Sequence, residues 1–257
     1  MPSGPPGPAA RARREVPDDH PIALLQAHTL PALVQRELTR LILAGQLTAG
    51  SKLNEIEVAQ RLGVSRGPVR EAFRALEESG LVRLEKNRGV FVREVTPAEA
   101  DEIFELRALL DEFAGRRAAE RATPADIAAL TSAVDGMAAA ADAGDADLYF
   151  DLNLAFHDRI VALAGNAKLA SLYRRLVNEL ALVRRAAFDR AGTLPRSILE
   201  HRAIVATIAS GDADAAGRRL HEHVLASRDR VRRARGAPQA PRPTAPDHAR
   251  RPSRSAR

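Results

Sequence analysis

One stretch constrains this chain more than any other: residues 53 to 92, LNEIEVAQRLGVSRGPVREAFRALEESGLVRLEKNRGVFV. Residues 55 to 62 suit a short helix, Gly63 and Val64 make a tight turn, and Ser65 stands where a hydroxyl can cap the next helix. That next helix runs to about Ser79 and stops at Gly80, with Val69, Ala72, Phe73 and Leu76 on one face at helical spacing. It must dock through that stripe, which turns Gly67, Arg70 and Arg74 outward. The runs LVRLE and VFV, joined by Lys86 to Gly89, carry a hairpin signal. Upstream, Val34, Leu38, Leu41 and Ile42 form one more apolar stripe that closes at Gly45. Helix, helix, turn, helix, hairpin is the order of a winged helix-turn-helix, expected over residues 28–95.

The outward face of the third helix fixes the chemistry of such a head. A helix N-terminus offers free N–H groups and a positive dipole end to phosphate, and Arg66 and Arg70 can reach phosphates or the O6/N7 edge of guanine. Gly67 lets the backbone approach closely, and Lys86, Asn87 and Arg88 at the wing tip can enter a minor groove or grip its phosphates. Any one of these arginines alone reads as a solvated charge; turn, cap, basic face and basic hairpin tip in this order read as a surface for double-stranded DNA.

The order L-x-E-x-x-x-A-x-x-L-G-V-S-R-x-P-V-R-E-A-x-R-x-L-x-x-x-G-L-V, followed by a glycine-containing wing, resembles the GntR family of bacterial transcription regulators. The resemblance implies that Ser65, Arg66 and Arg70 sit where the family contacts operator DNA, and that Arg88 and Gly89 sit in the wing. Some members carry a DNA-touching arginine after the position of Glu55; this chain has Ile56 there, which implies that the contact is absent.

Charge divides along the chain in a matching way. Lys plus Arg against Asp plus Glu is 11 to 8 over residues 30–95, 15 to 20 over 96–227, and 10 to 2 over 228–257. A basic front, an acidic centre and a basic tail separate the tasks of the segments and exclude a uniform nucleic-acid coat. The chain has no cysteine, so disulfides, Fe–S clusters and thiolate zinc sites are excluded. The opening residues carry charge and proline without an apolar run, so neither a signal peptide nor a membrane anchor is expected and the location is read as cytoplasmic. Residues 1–27 and 234–257, rich in Pro with Gly, Ala or Arg, read as disordered tails.

From Thr96 the strand signal stops. Capped amphipathic segments near 97–121, 124–142, 146–164, 167–190, 195–210 and 213–233 are separated by ATPAD, AGDAD, AGNAK, GTLP and SGDAD. The fold class is therefore mainly α, with a six-helix antiparallel bundle over 96–233, and a bundle interior suits a ligand cavity.

Three histidines stand out in this part. His157 lies amid Leu154, Ile160, Val161 and Ala164 with Asn153 one turn earlier; His201 shares a face with Ile198, Ile204, Val205 and Ile208; and His223 borders the stripe of Ala216, Leu220 and Val224, while His221 falls some 100° away. One such histidine reads as a core residue with a satisfied hydrogen bond. Three on facing helices, with an oxygen donor at i−4, can hold Zn, Mn, Ni or Fe with positions left open for an anionic ligand. His20, His28, His221 and His248 read as structural or tail residues.

ELRALLDEFAGRRAAERAT, NLAFHDRIVALAGN, LEHRAIVATIASGDADAA and the final LHEH resemble the FCD effector domain of the FadR-like GntR subfamily, and six helices resemble its VanR-type branch. That implies a divalent metal held by Asn153, His157, His201 and His223, with Asn153 standing where Asp is commoner. Arg107 either meets an effector carboxylate, as the resemblance to some members of the subfamily implies, or pairs with Asp111 at i+4. The expected function is a regulator, usually a repressor, that binds a palindromic operator as a homodimer and answers to a small organic acid beside the metal. The competing readings are an architectural DNA binder with core histidines, and a metal-dependent hydrolase or lyase. The latter needs a general base, whereas Asp158, Glu200 and Glu222 each flank a histidine and are expected to point away from the site.

Overall fold

The computed structural model describes residues 29–188 and 194–236. Residues 1–28, with His20 and His28, and residues 237–257, with His248, lie outside the described residues; positions 234–236, read from the sequence as the start of a disordered tail, are instead the end of a helix. The first unit is α1 (Leu30–Leu43), β1 (Lys52–Leu53), α2 (Glu55–Leu62), α3 (Arg66–Glu78), β2 (Val82–Glu85) and β3 (Gly89–Val92). Six helices follow: α4 (Pro97–Arg121), α5 (Pro124–Asp142), α6 (Ala146–Leu163), α7 (Ala167–Phe188), α8 (Leu194–Ala209) and α9 (Ala213–Gly236). This is a winged helix-turn-helix followed by an all-α bundle.

In the first unit the stripes Val34, Leu38, Leu41, Ile42 and Val69, Ala72, Phe73, Leu76 meet in one core with Leu53, Leu81, Val82 and Val92. Gly63 ends α2 in the left-handed conformation at φ 66°, the turn that lets α3 cross it. Asn87 at the wing tip also has positive φ, at 63°, which Asn tolerates better than most residues. The hairpin forms in the register Val82 to Val92 and Glu85 to Gly89. β1 also pairs with β3, giving a three-stranded sheet in the order β1-β3-β2. A two-residue strand has no measurable period, so sequence patterning did not predict it.

Ser65 occupies the N-cap of α3 with extended backbone, but its hydroxyl makes no capping hydrogen bond. The cap is therefore positional only. The C-cap of α1 is Ala44, and Gly45 follows it at φ 71°.

Thr96, Thr123 and Asp145 cap α4, α5 and α6 through their side chains, and Thr123 with Asp126 forms a reciprocal capping box. α9 runs past the expected end at 233, to Gly236; Ser227 and Val231 continue its buried stripe, and Arg232 pairs with Asp101 on α4 at 2.8 Å. α4 and α9 pack closely: a Cβ at Gly115 would stand 2.9 Å from the carbonyl oxygen of Ala216, so a larger residue would force the two helices apart. That close approach brings the interior face of α4, with Arg107 and Asp111, against the face of α9 that carries His223. Among the described residues no helix is long and apolar enough to cross a membrane.

Candidate DNA-reading face and metal centre

On α3, Arg66, Gly67, Arg70 and Arg74 are all exposed, as is Ser65. The buried stripe holds the opposite side of the helix, so this basic face follows from amphipathic docking alone. Arg66 and Arg70 each direct Nε to the carboxylate of Glu55, the first residue of α2; the Arg70 contact is 2.7 Å. In the wing, Glu85 ion-pairs with Arg83 and Arg88. Lys52, Arg83 and Arg88 surround the Phe91 ring, with 6.0, 5.3 and 5.7 Å from charge centre to centroid. Lys52 and Arg83 were missed by sequence reasoning, since strand order alone brings them beside Arg88.

The bundle gathers His157 from α6, His201 from α8 and His223 from α9, all buried, with one nitrogen of each within 4.8 Å of the others. His157 and His223 stack with centroids 5.2 Å apart, and His201 lies 4.6 Å from His223. Asn153 is buried one turn before His157. A neutral imidazole keeps one lone pair for a metal when its other nitrogen donates to a carboxylate. That arrangement is present at His223, whose Nδ1 donates to Glu200 Oε2 at 2.8 Å; His157 Nδ1 faces Asp111 Oδ1 at 3.4 Å without a hydrogen bond. Burial pushes the His157 imidazole down to about 3 and lowers that of His223, so both are neutral at physiological pH. Three buried imidazoles, those of His157 and His223 held neutral by burial and that of His223 oriented by the Glu200 carboxylate, fit a divalent transition metal.

Glu200 corrects the expectation that it points away. It lies between His223 and Arg230, whose Nη1 reaches Glu200 Oε1 and Oε2 at 2.9 and 3.0 Å. Despite the cost of burial, bonds from His223 and Arg230 hold its carboxyl down to about 2. The miss arose because neighbours of a histidine diverge on their own helix, while α9 packs against α8 from the side Glu200 occupies. A carboxylate held this firmly orients an imidazole and is a poor proton acceptor. Asp158 pairs with Arg174 at 2.6 Å and Glu222 with Arg219 at 3.4 Å. His221 lies outside the triad, 3.0 Å from Glu112.

Arg107 is fully buried. Its Nε donates to Asp111 Oδ2 at 3.1 Å and its Nη2 to the Tyr173 hydroxyl at 3.2 Å, while Nη1 has no partner. The i+4 ion pair is therefore present, and one edge of the guanidinium remains for another acceptor. Asp111 ties this arginine to His157, a link that the sequence spacing of Arg107 and Asp111 does not show.

The sequence profile of the gntR family of bacterial regulatory proteins matches residues 32–92, and that of the FCD domain matches residues 102–226. A relative in Paenarthrobacter nicotinovorans, named as a probable D-xylose utilization operon transcriptional repressor, is 30% identical over 77% of this chain and 87% of its own length. The HTH-type transcriptional repressor RspR of Escherichia coli K12 is 28% identical over 79% and 89%. The solved structure of McbR/YncC from E. coli superposes with a TM-score of 0.72 at 22% identity, covering 81% of this chain and 99% of that one, which shows a common fold. With both profiles matched in order and a 30% identical relative aligned over most of both chains, this chain belongs to the GntR family and is a DNA-binding transcription regulator carrying an FCD domain.

Proposed function

We propose that this chain is a cytoplasmic, ligand-responsive repressor that binds a palindromic operator as a homodimer and answers to a small organic acid bound beside a divalent metal. The DNA-reading set is Ser65, Arg66, Gly67, Arg70 and Arg74 with the wing residues Arg88 and Gly89. The units are the winged head at 28–95 and the sensing bundle at 96–233. Asn153, His157, His201 and His223 hold the metal, which supplies a Lewis-acidic centre for an anionic oxygen. Arg107 meets the acid's carboxylate.

The observation that carries this reading is the buried, unpartnered Nη1 of Arg107, one carboxylate away from the histidine triad. A buried guanidinium edge without an acceptor is costly, and a ligand carboxylate satisfies it with a charge-assisted bond. The bundle and the head are joined through α7, so a ligand that moves Tyr173 has a direct path to α3. Ligand acts only by binding one arrangement of the head better than another.

The homodimer is supported by α4. Leu106, Leu109 and Phe113, at helical spacing on one face, are 55%, 59% and 42% exposed. An apolar stripe of this kind on an otherwise charged helix calls for a covering partner, and two-fold symmetry then matches a palindrome.

The test is metal analysis of the purified protein, followed by thermal shift and gel shift on the promoter of its own gene with a panel of small mono- and dicarboxylic acids. Bound metal, stabilisation by some acids, and a changed DNA shift with those acids are expected. A metal-free protein that no acid stabilises, yet which binds DNA, would replace this reading with an architectural role.

A further inference from the structure

The two arginines of α3 with most reach do not stand free: one carboxylate holds both. Glu55 opens α2, where Asn54 caps the helix by accepting from Ile56 N at 2.9 Å. Its Oε1 takes Arg66 Nε and its Oε2 takes Arg70 Nε. Arg66 lies at the first position of α3 and Arg70 one turn later, so both side chains leave the same side of the helix. The Glu55 side chain is about one-fifth exposed, whereas the side chains of both arginines are more than half exposed. Hydrogen bonding to Arg70, then to Arg66, lowers the pKa of Glu55 and keeps it ionised.

The geometry points to Glu55 as a specificity-determining positioning residue, which fixes the two arginines by their Nε edges and halves the charge they offer to an arbitrary phosphate backbone. An arginine bound through Nε still has its terminal Nη groups, the donors that reach a guanine O6/N7 edge. Holding it there removes rotamer freedom that would otherwise be lost on DNA binding. Three residues with two positive charges and one negative charge present a net charge of one. The attraction to phosphate that any sequence offers is thereby weakened, while a site with guanine at the right spacing keeps its bidentate bonds.

This inference rests on α3 being the DNA-reading helix, and its test separates the two. A duplex selected by the unmodified protein from a random library is compared with a scrambled duplex by fluorescence anisotropy, from low to moderate salt, for the unmodified chain, Glu55→Gln and Glu55→Asp. Glu55→Gln removes the charge: the scrambled duplex should bind several-fold tighter, the log–log salt slope should steepen by about one, and the ratio between the two duplexes should fall about tenfold. Glu55→Asp keeps the charge but not the reach to both arginines. Its salt slope should stay as it was while the ratio still falls. Equal losses on both duplexes in Glu55→Gln, or an unchanged ratio in Glu55→Asp, overturn the inference, and thermal melts of each variant identify loss from unfolding. If the unmodified chain itself bound selected and scrambled duplexes equally, the reading-helix assignment would fail and this inference with it.

Discussion

The side-chain amide of Asn178 donates to the backbone carbonyl of Ser79 at 3.0 Å, fastening α7 of the bundle to the C-terminal cap of α3. The next residue, Glu179, accepts from Arg93 at 2.6 Å and from Arg175 at 3.1 Å, and Leu182 packs against the core of the head. Two turns earlier on the same helix, Tyr173 accepts from Arg107. One helix thus touches both the buried arginine beside the triad and the C-terminal end of α3.

Asn178→Ala should therefore loosen the joint more than it harms either unit. Losing one partly buried hydrogen bond costs about 1 kcal/mol of stability. The larger effect should be on coupling: DNA affinity measured with metal-loaded and with EDTA-treated protein should differ in the unmodified chain and converge in Asn178→Ala. Anisotropy titrations of both forms check this, and an undiminished difference in the variant would show that α7 is not the route.

This joint explains what the sequence did and did not disclose. α3 is legible because its buried and outward residues alternate at helical spacing and its boundaries carry turn chemistry. His157, His201 and His223 are legible because imidazoles stand out on otherwise apolar faces. Asn178, Glu179 and Arg93 are polar residues on partly exposed surfaces, and nothing in local pattern says which neighbouring unit they will meet. Glu200 was misjudged, and the approach of Asp111 to His157 beyond its i+4 pair with Arg107 was missed, for the same reason, since both depend on how α8 packs on α9 and α4 on α6. Periodicity reports which face of a helix is buried, not what lies across it.

Arg107 should prove structural and functional at once, and two variants separate the parts. Arg107→Ala leaves Asp111 as a buried carboxylate without its cation, at a cost of roughly 3–5 kcal/mol. Arg107→Met combined with Asp111→Leu removes both charges and should regain most of that stability in urea titrations. The double variant should nonetheless show no thermal stabilisation by any carboxylic acid that stabilises the unmodified protein. Retained stabilisation would place the acid elsewhere.

Acid should destabilise the metal-free protein through its histidines. His157, pushed down to about 3, stays neutral in the folded chain while the unfolded chain takes up a proton below its ordinary value of 6.5. His223 is lowered in the same direction. Unfolded chain then binds more protons than folded, so stability is full above pH 6.5 and falls as pH drops below it, by about 1.4 kcal/mol per pH unit for His157, with a further loss of the same sign from His223. Glu200, with its carboxyl held at about 2 against an ordinary 4.5, adds a loss of the same sign below pH 4.5. Urea midpoints at pH 7.5, 6.0 and 5.0 should show the decline, and His157→Gln should flatten it. An equal slope in that variant would mean that His157 is protonated in the folded chain. Metal-loaded protein should lose stability more steeply over the same interval, because protons compete for its ligands.

The last expectation concerns the exposed stripe of α4. Its opposite face, with Ile103, Phe104 and Ala108, is already buried within the chain, so Leu106, Leu109 and Phe113 are not needed for the bundle to fold. Covering one such side chain contributes about 1.5–3 kcal/mol, and in a two-fold dimer each residue is counted twice. Leu109→Asp with Phe113→Asp would place four carboxylates in the covered seam, where desolvation and like-charge repulsion both oppose association. Sedimentation equilibrium at micromolar concentration should show dimer for the unmodified chain and monomer for the double variant, with helical content unchanged by circular dichroism. The monomer should bind a half-site as well as the unmodified chain does, but a full palindrome far more weakly, since the second head no longer arrives tethered to the first. A double variant that remains dimeric would move the interface to another face of the bundle.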